Sequence, residues 1–307
     1  AAVAVGIVYG RGKRVWCRYL CPVTGVFALL ARLAPLHFKV DRAAWDMQPA
    51  NTPAVDCPPL LNVSALASAS QCHACGRCSG HRDAVALRWR WPGSEIVRSQ
   101  SGDVGRYEAL LLCYGMLGFA LGAFQWTMVP GFVRAKQWVA TWLVEHDIFW
   151  PLADNAPWWV LTHYPQASDV FSWLDGAGIV VWLVASALLV GGCAHLATVL
   201  AARLARADWK VLALGLVPMA AANLFLGLSM LTLTQLRSEG IEFGWLPQAR
   251  AALLLLAWLA GIALGMGQLR RIDVRGLRAA AAAVLLAGAA ALPALLWARA
   301  LDLLRAF

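Results

Sequence analysis

The chain has 307 residues, of which 60% are apolar or aromatic (AVILMFWYC) and only 14% are charged. A soluble domain carries about 25% charged residues, so an ordinary soluble enzyme, a disordered chain and a collagen-like chain are excluded, and the length is better counted in membrane spans. The formal net charge of +9 comes from 26 Lys and Arg against 17 Asp and Glu; in so apolar a chain it matters chiefly on which side of a membrane that charge collects.

Residues 1–9 are apolar and run into Arg11. Crossing the hydrocarbon takes about 20 residues, so this stretch reads as the last half of a helix that begins earlier. It lacks the basic start and small-residue cleavage site of a signal peptide. Residues 10–106 form a Cys-rich polar segment. Inside it, Val23–Leu36 (VTGVFALLARLAPL) is apolar apart from Arg32. It is short for a span and reads as interfacial, re-entrant or packed on a bundle, where it would press the Cys-rich segment against the membrane. Residues 41–70, rich in Pro, Asn, Ser and Ala, read as a loop. Residues 84–106, with Trp89, Trp91 and alternating Arg, fit either a short strand pair or a membrane-surface segment.

Residues 107–307 read as a five-helix transmembrane region. The spans are Tyr107–Met128, Ala177–Leu204, Val211–Leu236, Ala251–Leu269 and Ala279–Trp297, none with a charge at its centre. The third is weakly polar, with Asn223, Thr232, Thr234 and Gln235. Gly118 and Gly122, like Gly261 and Gly265, stand four residues apart, a spacing that lets helices approach closely in lipid and that also arises by chance in an Ala-rich sequence. Between the first two spans lies a loop, 130–176, with Trp138, Trp142, Trp150, Trp158, Trp159 and Trp173. Phe132–Glu145 reads as an amphipathic interfacial helix, with Trp138, Val139, Trp142 and Leu143 on a shared face.

The basic residues alternate with the crossings. Residues 10–106 hold 13 Lys and Arg, residues 130–176 hold two against five acids, and the turns 203–210 and 270–278 hold three and four. Residues 237–250 and the tail after 298 hold two each. The positive-inside rule then places 10–106 in the cytoplasm, with 130–176 and the C-terminus on the opposite side. The expected fold is therefore an all-α polytopic membrane protein: a truncated first helix, five complete spans and a small ferredoxin-like cytoplasmic loop.

Six of the eight Cys lie in that loop: Cys17, Cys21, Cys57, Cys72, Cys75 and Cys78. Cys113 and Cys193 sit in spans and read as small buried hydrophobes or inert thiols. A reducing cytoplasm disfavours disulfides, and clustered thiols there point to a metal. Cys72-x2-Cys75-x2-Cys78 is the first three-quarters of the bacterial ferredoxin run C-x2-C-x2-C-x3-C-P, in which the fourth Cys ligates another cluster. Here the fourth position is Arg82, followed by Asp83. The local [4Fe–4S] cluster therefore takes its fourth ligand from a remote Cys-Pro: Cys21-Pro22, the first choice because Cys17-x3-Cys21-Pro22 matches the end of a ferredoxin run, or Cys57-Pro58, nearer in sequence. Either choice leaves two Cys over, which would serve a second cluster together with thiols outside this sequence. A Zn site, with His73 or His81 as helper, is the rival reading.

Arg14-Val15-Trp16-Cys17-Arg18-Tyr19-Leu20-Cys21-Pro22-Val23-Thr24-Gly25, directly after an apolar segment, resembles the CxxxCP element of polyferredoxin-like membrane proteins of the NapH, NosR and FixG type, and the C-x2-C-x2-C run fits the same group. The resemblance covers about residues 1–90. It implies an inner-membrane protein with cytoplasmic iron–sulfur clusters that passes electrons across or along the membrane, or supports maturation of respiratory enzymes. The chain departs from it in lacking the final Cys-Pro of the ferredoxin run, where Ser79-Gly80-His81-Arg82-Asp83 stands, and in its five further spans.

Arg11, Lys13, Arg14, Arg18, Arg77 and Arg82 lie near the thiols in sequence; positive charge there favours the reduced state of a cluster and also follows from the positive-inside rule alone. On the other side, the Trp-rich loop reads mainly as an interfacial belt, or as a quinol or redox-partner site with His146, His163, Asp147 and Asp154 in proton release. His195, inside a span, is either a neutral hydrogen-bonded histidine or a haem ligand whose partner lies elsewhere. The function expected is electron transfer through a membrane-bound [4Fe–4S] centre in a respiratory redox chain of a bacterial inner membrane, with redox proteins or the quinol pool as partners and no nucleic acid. The chain reads as a redox subunit without a catalytic nucleophile. An assembly or maturation factor and a Zn-stabilised regulatory membrane protein are the alternatives.

Overall fold

A computed structural model describes Gly6, Cys21 and residues 23–47, 52–58, 60–66, 68–72, 74–157, 160–164 and 169–303. The expected N-terminal half-helix, Cys17, the four bases between Arg11 and Arg18, His73, Trp158 and Trp159 lie outside the described residues. The architecture is all-α and multi-pass, and among the described residues five helices are long and apolar enough to cross a membrane: α4 (Arg106–Gln125), α6 (Trp173–Ala205), α7 (Trp209–Ser238), α8 (Leu246–Arg271) and α9 (Gly276–Ala300). The Cys-rich segment supplies the short elements α1 (Val23–Ala31), β1 (Leu36–Val40), α2 (Arg42–Met47), β2 (Val85–Trp89) and α3 (Ser94–Arg98), and α5 (Pro130–Glu145) lies in the Trp-rich loop. By its internal contacts the chain divides into two compact units: Ala1–Leu112 with Thr198–Pro218 and Leu259–Ala287, and Cys113–Ala197 with Met219–Trp258 and Gly288–Phe307.

In the first unit, β1 and β2 pair antiparallel, from Leu36 opposite Trp89 to Val40 opposite Val85. The pair therefore joins 84–106 to the residues before the loop, and does not form inside 84–106. Side chains alternate across a strand. Phe38, Val40 and Val85 are buried together with Val63, and Cys57, Cys72 and Cys78 pack against this cluster. The apolar stretch expected over Val23–Leu36 is helical only to Ala31, and Arg32 follows it. Arg32 is 2% exposed. It donates to Glu108 (3.2 Å), the Asp103 carbonyl (3.1 Å) and the Ser99 hydroxyl (3.4 Å), and lies 3.7 Å from Glu95. Glu95 also pairs with Arg90, and Arg90 donates to the Ala31 and Ala34 carbonyls. Two cations and two carboxylates thus hold the end of α1 to α3 and the start of α4, which is why a charge inside an apolar stretch is tolerated. Elsewhere in this unit Ala201, Ala202, Leu212, Leu269, Ala282 and Leu286 form an apolar cluster. Gln268 donates to the Val211 carbonyl (2.6 Å). Leu214–Leu216 tightens to 3-10 geometry just before Pro218, which has no N–H to offer a preceding carbonyl.

In the second unit, two helices approach backbone to backbone. A Cβ on Gly118 would lie 2.7 Å from the Ala187 Cα, and one on Gly191 would lie 2.7 Å from the Tyr114 Cα. The spacing of Gly118 and Gly122 therefore marks a real contact, as expected for small residues in lipid. Both partners are wound as π-helix there, over Leu111–Phe119 and Ala187–Gly191. The Tyr114 hydroxyl is 3.0 Å from His195 Nδ1, so the intramembrane histidine is hydrogen-bonded. Asn223 donates to the Met116 carbonyl (2.5 Å) and accepts from the Trp297 indole (2.6 Å). Helix α5 forms over the expected residues, but Phe132 and Leu143 are buried whereas Trp138 and Trp142 are exposed. Trp142 and Leu143 thus lie on different faces, and Trp138 and Trp142 stand on the exposed one.

Candidate metal centre

The thiol loop is shaped by local turns. Ser68 caps a single 3-10 turn, Ala69–Gln71, by accepting from the Ser70 N–H, and the Cys72 N–H closes it on the Ala69 carbonyl (3.0 Å). Glu95 reaches the same turn: its carboxylate accepts from the Ala69 N–H (3.1 Å) and from the Ser68 hydroxyl. The buried Arg32–Glu95–Arg90 network therefore also anchors the residues that lead into Cys72. Beyond it, Ala74 (φ 48°) and Gly76 (φ 80°) take left-handed conformations, which curl the chain so that Cys75 and Cys78 turn back. The Ala74 N–H donates to the Cys72 sulfur (3.3 Å), the type of contact that tunes a cluster's sulfurs. Turn bonds from Ser79 to Gly76 and from His81 to Cys78 complete the curl.

Cys57, Cys72, Cys75 and Cys78 line one small cavity, walled by Phe38, Val55, Leu61, Val63 and Leu66. The exposed ion pair Asp56–Arg77 (3.4 Å) links the residue before Cys57 to the residue before Cys78. Cys21 lies instead in a neighbouring cleft with Val23, Phe27, Ser70, Cys72 and Ala74. Cys72 is common to both. Sequence reasoning ranked Cys21 ahead of Cys57; the cavity groups Cys57 with the triplet.

The electrostatics of the cavity suit a cation. Burial pushes the Cys72 thiol up from its ordinary range, against the opposing Ala74 N–H, and Cys75 and Cys57 push it the same way. Burial likewise raises Cys78, helped by Cys72. Burial disfavours negative charge on Cys72 and Cys78, and a bound iron centre would supply the positive charge that offsets it. Among the described residues no three His, Cys, Asp or Glu draw close enough to hold a single metal ion. His81, a helper in the zinc reading, packs on Trp45 (ring centroids 5.3 Å apart).

Arg82, at the position of the missing ferredoxin Cys, lies over the Trp45 ring at 5.0 Å and donates to the Trp45 carbonyl (3.3 Å). Its left-handed backbone (φ 56°) and that of Asp83 (φ 51°) make the bend into β2. The place of a ligand is thus taken by a clamp on α2. The residues that sequence reasoning missed are Arg32, Arg90 and Glu95; the only signal was a lone charge within an apolar run. His146 stacks on Trp142 (ring centroids 4.2 Å apart), and its Nδ1 lies 2.8 Å from the Trp142 carbonyl.

A family model described as a 4Fe-4S binding domain matches residues 1–41. The match includes Cys17 and Cys21 and ends before the C-x2-C-x2-C run. The chain matches no curated protein and no solved structure. The match makes this an iron–sulfur protein, with a [4Fe–4S] cluster as its cofactor.

Proposed function

We propose that the chain is a membrane-bound electron-transfer protein of a respiratory redox chain, with a [4Fe–4S] cluster held by Cys72, Cys75, Cys78 and Cys57 on the cytoplasmic side of a bacterial inner membrane. The observation that carries this reading is the single apolar cavity lined by those four thiols. A bound [4Fe–4S] cluster supplies one-electron transfer. The protein's own residues set its conditions. Phe38, Val63 and Leu66 exclude water, the Ala74 N–H donates to the Cys72 sulfur, and Arg77 brings positive charge to the rim. An apolar surround and such hydrogen bonds are the protein's means of setting a cluster's potential. Cys17 and Cys21, inside the matched segment, are then left for a second cluster whose other ligands lie elsewhere.

The cytoplasmic assignment rests on the charge count, with half of all Lys and Arg in residues 10–106. Electron exchange with soluble redox proteins or with the quinol pool follows from a one-electron centre beside a membrane. Anaerobic purification of the full chain tests the reading. The expected result is a brown protein with equal iron and labile sulfide, and an EPR signal on reduction that Cys75→Ser removes. Colourless protein loaded with zinc, or iron unaffected by Cys75→Ser, overturns it.

A further inference from the structure

The β1–β2 pair has two faces, and only one belongs to the thiols. Phe38, Val40 and Val85 point into the core on which Cys57, Cys72 and Cys78 pack. Lys39 and Arg88, on the opposite face by strand alternation, line a cleft of about 800 Å³ with Arg42 and Arg98. All four cations are exposed, and among the described residues they form no ion pair of the kind that holds Arg90 to Glu95. At the strand's end the cleft is also lined by Trp89, which alternation places on the Val85 face, and by Trp91; they are 59% and 74% exposed and packed edge to face at 5.0 Å. Exposed Trp beside Arg that forms no ion pair among the described residues is the composition of an interaction hot spot.

We infer that this cleft is the docking face for an acidic electron-carrier protein, placed on the back of the sheet whose front packs the thiols. The inference rests on the iron–sulfur reading and names its partner. Three observations choose this occupant. The four cations ask for an anionic surface, and steering by such a patch speeds encounter at low ionic strength. The face is concave, so a protruding acidic loop enters it where a flat lipid surface does not. Asp41 and Asp83 line the same cleft; they would repel a small phosphate but can pair with bases on a protein surface of mixed charge.

The test uses the full chain in nanodiscs with either neutral or anionic lipid, and an oxidised, strongly acidic ferredoxin as probe. Iron and sulfide are measured on the same samples, so that loss of the cluster is seen separately from loss of docking. We expect saturable binding that weakens steeply with salt, and about a tenfold or greater loss in Lys39→Glu/Arg88→Glu at unchanged iron content. Trp91→Ala supplies a second, charge-neutral variant and is expected to raise the dissociation rate. Equal affinity in the charge-reversed protein overturns the inference. So does absence of binding in an iron-replete protein, including the case where binding is absent only with anionic lipid because headgroups occupy the face.

Discussion

In the unit that carries the thiols, the buried polar side chain Arg32 is answered by charge: Glu95 and Glu108 on one side and Arg90 beyond. In the other unit the buried polar side chains among the described residues, Gln125 and Asn223, are neutral, and its ion pair, Lys136 with Asp175, is only partly buried. Asn223 joins the Met116 carbonyl to the Trp297 indole, and Tyr114 meets His195. The difference follows from what each unit must hold. A helix bundle in lipid needs only van der Waals packing and a few neutral hydrogen bonds. A loop that shapes a metal cavity needs directional anchors, and Glu95 serves as one by bonding the turn that leads to Cys72. A charged anchor is costly to break, because the remaining partner stays buried without compensation.

The largest expected effect is therefore at Glu95. Glu95→Ala leaves Arg90 uncompensated and Arg32 with Glu108 as its only carboxylate partner among the described residues, and should cost about 3–5 kcal/mol, read as a lower unfolding midpoint together with loss of iron. An unchanged midpoint would show that the charges are solvated after all. A close second is Gly191→Val in the other unit. Its side chain would collide with backbone at Tyr114 and Cys113, and overpacking of this kind costs about 1–3 kcal/mol. Here the midpoint should fall with iron content unchanged, which separates the bundle from the metal loop. A smaller loss, about 1 kcal/mol, is expected for Asn223→Leu, since hydrogen bonds within a bundle in lipid are individually weak; thermal unfolding in detergent measures it.

The smallest effect depends on pH. Asp208 caps α7, accepting from the Lys210 N–H (3.0 Å) and from the Ser101 hydroxyl. Burial acts to raise its carboxyl, but Ser101 and Lys210 outweigh it and hold the group below the usual carboxylate range. A depressed folded-state pKa stabilises above the unfolded value and loses that contribution as pH falls through the folded one. Asp208→Ala should thus cost about 1 kcal/mol at neutral pH, and the gap from the parent protein should close as pH drops below the usual carboxylate range. A gap that stays constant as pH falls well below that range would mean the charge is not what matters.

The long helices were legible because their signal is local. Each apolar run predicts its helix to within a few residues, and the Ala-rich composition hides no competing pattern. The C-x2-C-x2-C run was equally plain, since the thiol spacing is itself the motif. The anchors were not legible. Arg32 meets Glu108 across 76 residues and Ser99 across 67, and no periodicity connects such positions. Residues 84–106 left two readings open because the strand partner, Leu36–Val40, precedes the loop. The choice between Cys21 and Cys57 was underdetermined for a similar reason. Both are followed by Pro, and only the folding of the loop groups one of them with the triplet. The π-helical turns that bring Gly118 and Gly191 onto their neighbours carry no sequence signature beyond the glycines.

The fourth ligand is tested most directly by the reduced-state EPR spectrum of Cys57→Ser beside that of Cys21→Ser, each with its iron count. If Cys57 completes the site, Cys57→Ser abolishes or alters the same signal that Cys72→Ser removes, and Cys21→Ser leaves that signal in place. A signal that survives Cys57→Ser intact and disappears in Cys21→Ser contradicts the assignment and gives the fourth position to Cys21.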